Sequence, residues 1–258
     1  MRIAVIKQLT VFLIPFLIMG QKNVPLEINR LKKSNCKFAK IDVLTENKNG
    51  THEKIKSVFK DATFATLNSS GIQRICNEQY PTIEIQIPYT NKLIAVELYH
   101  VTHCTENFKI NTDKLHNIPY SKSVYYRGII NGNENSIASF NFFKNEMNGI
   151  VSSFDVGNLN IGKLASNSEN LIYSNLGLPI KNQFTCNKNE ETTQSDDFTK
   201  TNQNKPSVKC VATYLEIGYE AYQANGSNLT TTTNRITSLF NNAQTLFDND
   251  GISIALKT

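Results

Sequence analysis

The side chains best suited to metal or nucleophilic chemistry in this sequence are its four histidines and five cysteines, and their spacing decides what they could do. His100, His103 and Cys104 stand together as a His-x-x-His-Cys run of the kind that can ligate a metal. They close an alternating stretch, however. On a strand, residues three apart point to opposite faces, so the two imidazoles do not converge on one ion, and two sheet or loop histidines beside a cysteine is the plainer reading. His52 is followed by Glu53, but Lys56 occupies the place where a second zinc-binding histidine would fall. His116 lies in a polar stretch with no partner nearby in sequence. Cys36, Cys76, Cys104, Cys186 and Cys210 include no Cys-x-x-Cys pair, which argues against a structural zinc knuckle. Their number is odd, so disulfide pairing leaves at least one thiol over.

Whether those cysteines pair depends on the compartment. Residues 1–20 place Arg2 and Lys7 ahead of an apolar run from Leu9 to Met19, with Gly20 before a polar stretch, the pattern of a secretory signal peptide. The run is about half the roughly twenty residues that a membrane-spanning helix needs, so we expect a secreted chain with no membrane association after the signal is cut. Export favours disulfides. The formal net charge of +5 falls to +3 without Arg2 and Lys7, too little to argue for nucleic acid as a partner.

Such residues need elements to position them. From residue 21 to about 64 the chain is rich in Lys and Asn, and reads as short helical or irregular pieces. From Thr82 it alternates: Ile83, Ile85 and Ile87 are separated by Glu84 and Gln86. A turn at Thr90-Asn91 then leads into a second strand from Leu93 to Val101. Val124–Ile130, Ser136–Phe143, Gly149–Phe154, Leu159–Leu164 and Asn170–Tyr173 continue the series, with turns at Asn131-Gly132-Asn133 and over Lys144–Asn148. This predicts a small antiparallel, β-rich domain from about 65 to 180. Residues 186–207 hold one aromatic residue, Phe198, and no aliphatic ones, the composition of a flexible linker. Beyond it, Val208–Ile217 reads as a buried strand. Thr230–Phe247 reads as a helix whose buried face is Ile236, Leu239, Phe240, Ala243, Leu246 and Phe247, ended by Gly251, and Ile252–Leu256 as a further strand. The fold class is α+β. A β-α-β unit of about 50 residues calls for more sheet to cover it, so we expect the 258 residues to be the N-terminal portion of a longer protein.

Tyr125–Val151, YYRGIINGNENSIASFNFFKNEMNGIV, resembles the propeptide of reprolysin-type (adamalysin/ADAM-like) metzincin zinc proteases: a Tyr-x-Gly strand, a Gly-containing turn, a Ser-Ile-Ala strand and a Gly-Ile-Val strand. Lys92–Ile110 is similar to that propeptide's upstream strand. Cys210–Thr258 looks like the opening of the catalytic domain of bacterial secreted members. The resemblance implies a signal peptide (1–20), a propeptide (21–185), a linker (186–207) and the N-terminal portion of a catalytic α/β domain (208–258). It implies Zn2+ as the cofactor of a zinc metalloendopeptidase. The HExxHxxGxxH motif that binds the metal and activates water is missing from residues 1–258, so no catalytic residue carries over and the chain alone should be inactive.

Two site residues follow from the resemblance. Cys186, at the start of the linker, is the candidate cysteine switch: a free thiolate can take the open zinc position and displace the water to be activated. The family's following glycine is here Asn187, and a disulfide, for instance with Cys210, is the alternative. With Cys186 as the switch, Cys36, Cys76, Cys104 and Cys210 are left as the disulfide candidates, with three possible pairings. Glu216 matches an acidic strand residue that helps bind Ca2+ in some members, the other reading being a solvent-facing strand carboxylate. The partners implied are the chain's own catalytic domain and protein or peptide substrates. Two different functions stay open beside this one: an exported, non-catalytic β-rich binding or adhesion protein, and a stand-alone propeptide-like inhibitor.

Overall fold

The computed structural model describes residues 23–48, 53–102, 108–120, 123–164, 168–178, 210–212, 214–250 and 255–257. The leader, the linker, His52, His103, Cys104, Cys186 and Gly251 lie outside the described residues. In chain order the elements are α1 (Val24–Lys33), β1 (Ala39–Ile41), β2 (Leu44–Glu46), α2 (Glu53–Val58), β3 (Thr63–Leu67), α3 (Ser69–Glu78), β4 (Thr82–Tyr89), β5 (Lys92–Val101), β6 (Val124–Ile130), β7 (Ile137–Phe143), β8 (Glu146–Ser153), β9 (Gly157–Lys163), β10 (Asn170–Ser174), β11 (Cys210–Ala212), α4 (Tyr219–Ala224), α5 (Leu229–Asn249) and β12 (Ala255–Lys257).

The alternation read from the sequence builds a meander. Strands β4 to β10 follow one another in the sheet as they do in the chain, each antiparallel to the last. The β4–β5 hairpin turns on two residues, Thr90 and Asn91, both at positive φ (47° and 62°), as a twist-matched two-residue turn requires. The sheet is larger than the sequence implies, because the N-terminal segment supplies both of its edges. The ten strands run β1-β4-β5-β6-β7-β8-β9-β10-β3-β2. β1 pairs parallel with β4, the exception to the antiparallel expectation, and β2 pairs antiparallel with β3. Only Asp42 and Val43 separate β1 from β2, so residues 39–46 join the two edges and the sheet curls into a half-barrel. Strand structure therefore begins at Ala39, well before residue 65. Gly71 at the start of α3 sits against this junction, where an added Cβ would stand 2.0 Å from the Asp42 carbonyl oxygen.

The concave side holds the main core. Ile83, Ile85, Ile87, Val96, Leu98, Tyr126, Phe140, Phe142, Met147 and Val151 pack with Ile72 and Ile75 of α3, all fully buried. The convex side carries two helices. Val24 and Ile28 of α1 pack on Ile129, and α5 lies alongside, over β7 and β8.

Beyond the linker the structure corrects the expected strand and the expected helix face. Of the strand expected over Val208–Ile217, the described residues show Cys210–Ala212, paired parallel with β12, whereas Tyr214, Leu215 and Ile217 lie outside it and are exposed (83%, 45% and 36%). Glu216, expected on that strand, lies in the same exposed segment. The long helix forms where the periodicity places it, but its faces are reversed. Leu239, Leu246 and Phe247 are exposed (55%, 60% and 41%), and the buried stripe is Thr232, Thr233, Asn234, Thr237, Ser238, Asn241, Gln244 and Thr245. The reason is the partner: α5 meets a polar sheet face. No described helix is long and apolar enough to cross a membrane.

Candidate functional site

The reversed helix marks the region of the molecule most organised by polar side chains. On the convex face, alternation along β6, β7 and β8 directs Arg127, Ser139, Asn141 and Asn148 outward while their neighbours fill the core. α5 starts at Asn228, whose side chain accepts a hydrogen bond from the Thr231 amide at 3.0 Å. A polar stripe can be buried there because its hydroxyls are satisfied within the helix. Thr232, Thr237, Ser238 and Thr245 each donate to the carbonyl four residues earlier, at 2.8, 2.9, 2.7 and 2.7 Å. That leaves the longer side chains Asn241, Gln244 and Asp248, spaced three and four residues apart on one face, to reach the sheet.

Arg127 is the centre of this contact. It is 5% exposed, and all three guanidinium nitrogens donate to α5: Nε to Asn241 Oδ1 (3.3 Å), Nη2 to Gln244 Oε1 (3.0 Å) and Nη1 to Asp248 Oδ2, with which it forms an ion pair. Burial lowers the guanidinium pKa, and the adjacent Asp248 carboxylate opposes that shift. Asn241, fully buried, also donates to Ser139 Oγ (3.1 Å) and Asn141 Oδ1 (2.8 Å). Asn141 donates to Asn148 Oδ1 (2.7 Å), and Asn148 to Ser238 Oγ (3.0 Å). Along the helix, Tyr120 OH lies 3.0 Å from Thr237 Oγ1 and 2.6 Å from Tyr125 OH, while at its C-terminal end Asn23 Nδ2 donates to the Asn249 carbonyl at 2.8 Å. Burial, the largest cause, pushes the Tyr99 and Tyr125 phenols well up, so both stay protonated and act as neutral groups. Amides, hydroxyls and one ion pair arranged in this way hold a helix.

The residues singled out by the sequence are not brought together here. His100 is half-buried, its ring centroid 5.4 Å from that of Tyr126, and burial lowers its pKa. Cys36 and Cys76 are free thiols, so no bond joins these two disulfide candidates; Cys36 Sγ lies 3.5 Å from Thr82 Oγ1, and burial raises the Cys76 pKa. Cys104 and Cys186 fall outside the described residues, and of Cys210 only the backbone is described. Among the described residues no three His, Cys, Asp or Glu side chains are grouped to hold a metal ion, Glu216 included. Arg127 is not among the residues the sequence singles out. Its signal is a lone arginine inside an otherwise uncharged strand, matched by the Thr/Asn/Gln stripe of the helix a hundred residues later. Compared with family models, curated proteins and solved structures, the chain matches none.

Proposed function

We propose that residues 21–185 serve as the propeptide of a secreted zinc metalloendopeptidase precursor, keeping the protease latent and assisting its folding. What carries the reading is the seating of α5. The helix offers its polar stripe to the half-barrel and turns Leu239, Leu246 and Phe247 to solvent, a packing suited to a segment held aside rather than built into a finished core. The motif resemblance of Tyr125–Val151 and Cys210–Thr258 supplies the reaction class. In this reading Zn2+ binds to residues beyond Thr258, Cys186 is the inhibitory thiolate, Glu216 is a candidate Ca2+ ligand, and residues 1–20 direct export.

The test is to read the coding sequence past Thr258 and assay the encoded precursor. The expected outcome is an open frame reaching HExxHxxGxxH within about 150 residues, and peptidase activity that appears only after processing between 178 and 210. A stop codon directly after Thr258 would overturn the reading in favour of a non-catalytic binding protein, or of a stand-alone inhibitor if the product blocked a related protease in trans. For Cys186, thiol titration of the zinc-stripped precursor should find it free; finding it in a disulfide sinks the switch.

A further inference from the structure

A propeptide can be displaced as soon as the chain is cut, or it can stay bound until something else removes it. The contact between α5 and the half-barrel bears on which happens. It is built from directional bonds, and most of them converge on two buried side chains, Arg127 and Asn241. The charge of Arg127 is out of water and has one carboxylate, Asp248, against it. Removing one partner of such a pair leaves an uncompensated buried charge, so the contact should be strong when complete and fail when one member is lost. Apolar packing is incomplete: Leu239 and Phe247 face solvent, and a groove of about 290 Å³ remains between α5 and β7–β9, lined by Ser139, Ile150, Asn158, Asn242 and the exposed Leu246. Asn242 Oδ1, buried at this groove, makes no hydrogen bond. Among the described residues the anchorage is thus polar and concentrated.

We propose that this interface is a non-covalent clasp that keeps residues 23–178 and 210–257 associated after the chain between them is cut, with Arg127 and Asp248 as its determinants. It deepens the latency reading and rests on it only for the biological occasion of the cut. Processing alone then leaves the propeptide seated, and release requires the Arg127–Asp248 pair to be broken.

The experiment uses the full chain with a site-specific protease sequence placed within 190–200, cut to completion under reducing conditions so that no disulfide can join the halves. Size-exclusion chromatography and native mass spectrometry at micromolar concentration then follow their association. The two halves of the unsubstituted chain should co-elute, and Arg127→Met and Asp248→Ala should each weaken the association at least tenfold. Circular dichroism on the uncut variants checks that the half-barrel is intact. Should Arg127→Met fail that check, Asp248→Ala decides, because Asp248 lies at the rim with 29% of its side chain exposed. Separation of the unsubstituted halves on cutting, or unchanged association in Asp248→Ala, overturns the proposal. Neither result depends on peptidase activity, so the clasp and the protease reading can fail separately.

Discussion

Helices α3 and α5, on opposite sides of one sheet, are held to it by different physics. Inside the half-barrel, α3 inserts Ile72 and Ile75 among isoleucines and aromatic rings, a contact that is non-directional and scales with the area removed from water. Outside, α5 is attached to the same strands through Arg127, Ser139, Asn141 and Asn148. A neighbouring residue on β6 or β7 thus belongs to the opposite regime: Tyr126 and Phe140 to the first, Arg127 and Ser139 to the second. The first kind of contact tolerates small displacements and defines a permanent core. The second needs every partner in place, because each orphaned buried donor or acceptor bears its desolvation cost, which makes it suited to a contact that forms in one state and opens in another.

The largest break in this comparison should come from the core. Phe140 is fully buried and lies 6.3 Å, centroid to centroid, from the near-parallel ring of Phe142. Phe140→Ala removes that ring from the centre of the cluster and should lower global stability by about 3–5 kcal/mol. Urea denaturation followed by tyrosine fluorescence measures it, and both helices should be lost in the same transition.

Next comes the polar side. Asn241→Ala deprives Arg127, Ser139 and Asn141 of one partner each, and should cost about 1–3 kcal/mol. Here the loss should be local. Amide hydrogen exchange should quicken along α5 while β7 and β8 keep their protection, which separates a detachable helix from a core element. Equal loss of protection in α5 and in the strands would mean that the two sides of the sheet form one cooperative unit.

A smaller effect tests the apolar side with a titrating group. His100 lies at the end of the core beside Tyr126, and burial holds its pKa below 6.5. The unfolded chain therefore binds a proton more readily than the folded one. Stability contributed here is present above about pH 6.5 and is lost as pH falls through that value toward the lower folded pKa. His100→Gln should flatten this section of the pH–stability curve, measured as urea midpoints between pH 8 and pH 5.5. An unchanged slope would assign it to other groups.

How far the sequence can be read follows the same division. Strands β4 to β10 are legible because one face of each is apolar, and alternation reports that directly. β1 and β2 are not: each is three residues long, and what makes them strands is that residues 39–46 bridge two sheet edges, a long-range fact. α3 is hidden for a similar reason, since Ile72 and Ile75 in a short polar stretch give a weak period and only the concave sheet identifies their face. α5 shows the limit of pattern reading most clearly. The helical period is right and the buried face it implies is wrong, because periodicity shows that two faces differ and says nothing of which one finds a partner. Arg127 is invisible for the complementary reason: its acceptors lie 114, 117 and 121 residues away along the chain.

The smallest expected effect gives the sharpest test of that reversal. Leu239 and Leu246 occupy the face of α5 that the apolar period assigns to the core, and both are more than half exposed. If that face is open in this chain, Leu239→Ser and Leu246→Ser should each change stability by no more than about 0.5 kcal/mol, as surface substitutions do. The double variant should also be less prone to self-association in sedimentation velocity, since it removes an exposed apolar stripe. A helix seated the other way round would bury these leucines and lose about 2–5 kcal/mol per truncated side chain. The two orientations therefore differ several-fold in a quantity that one denaturation series measures. They also make opposite demands on Asn241, which is costly to remove only when the polar stripe faces the sheet. Leu239→Ser and Asn241→Ala, measured side by side, determine which face of α5 the half-barrel holds.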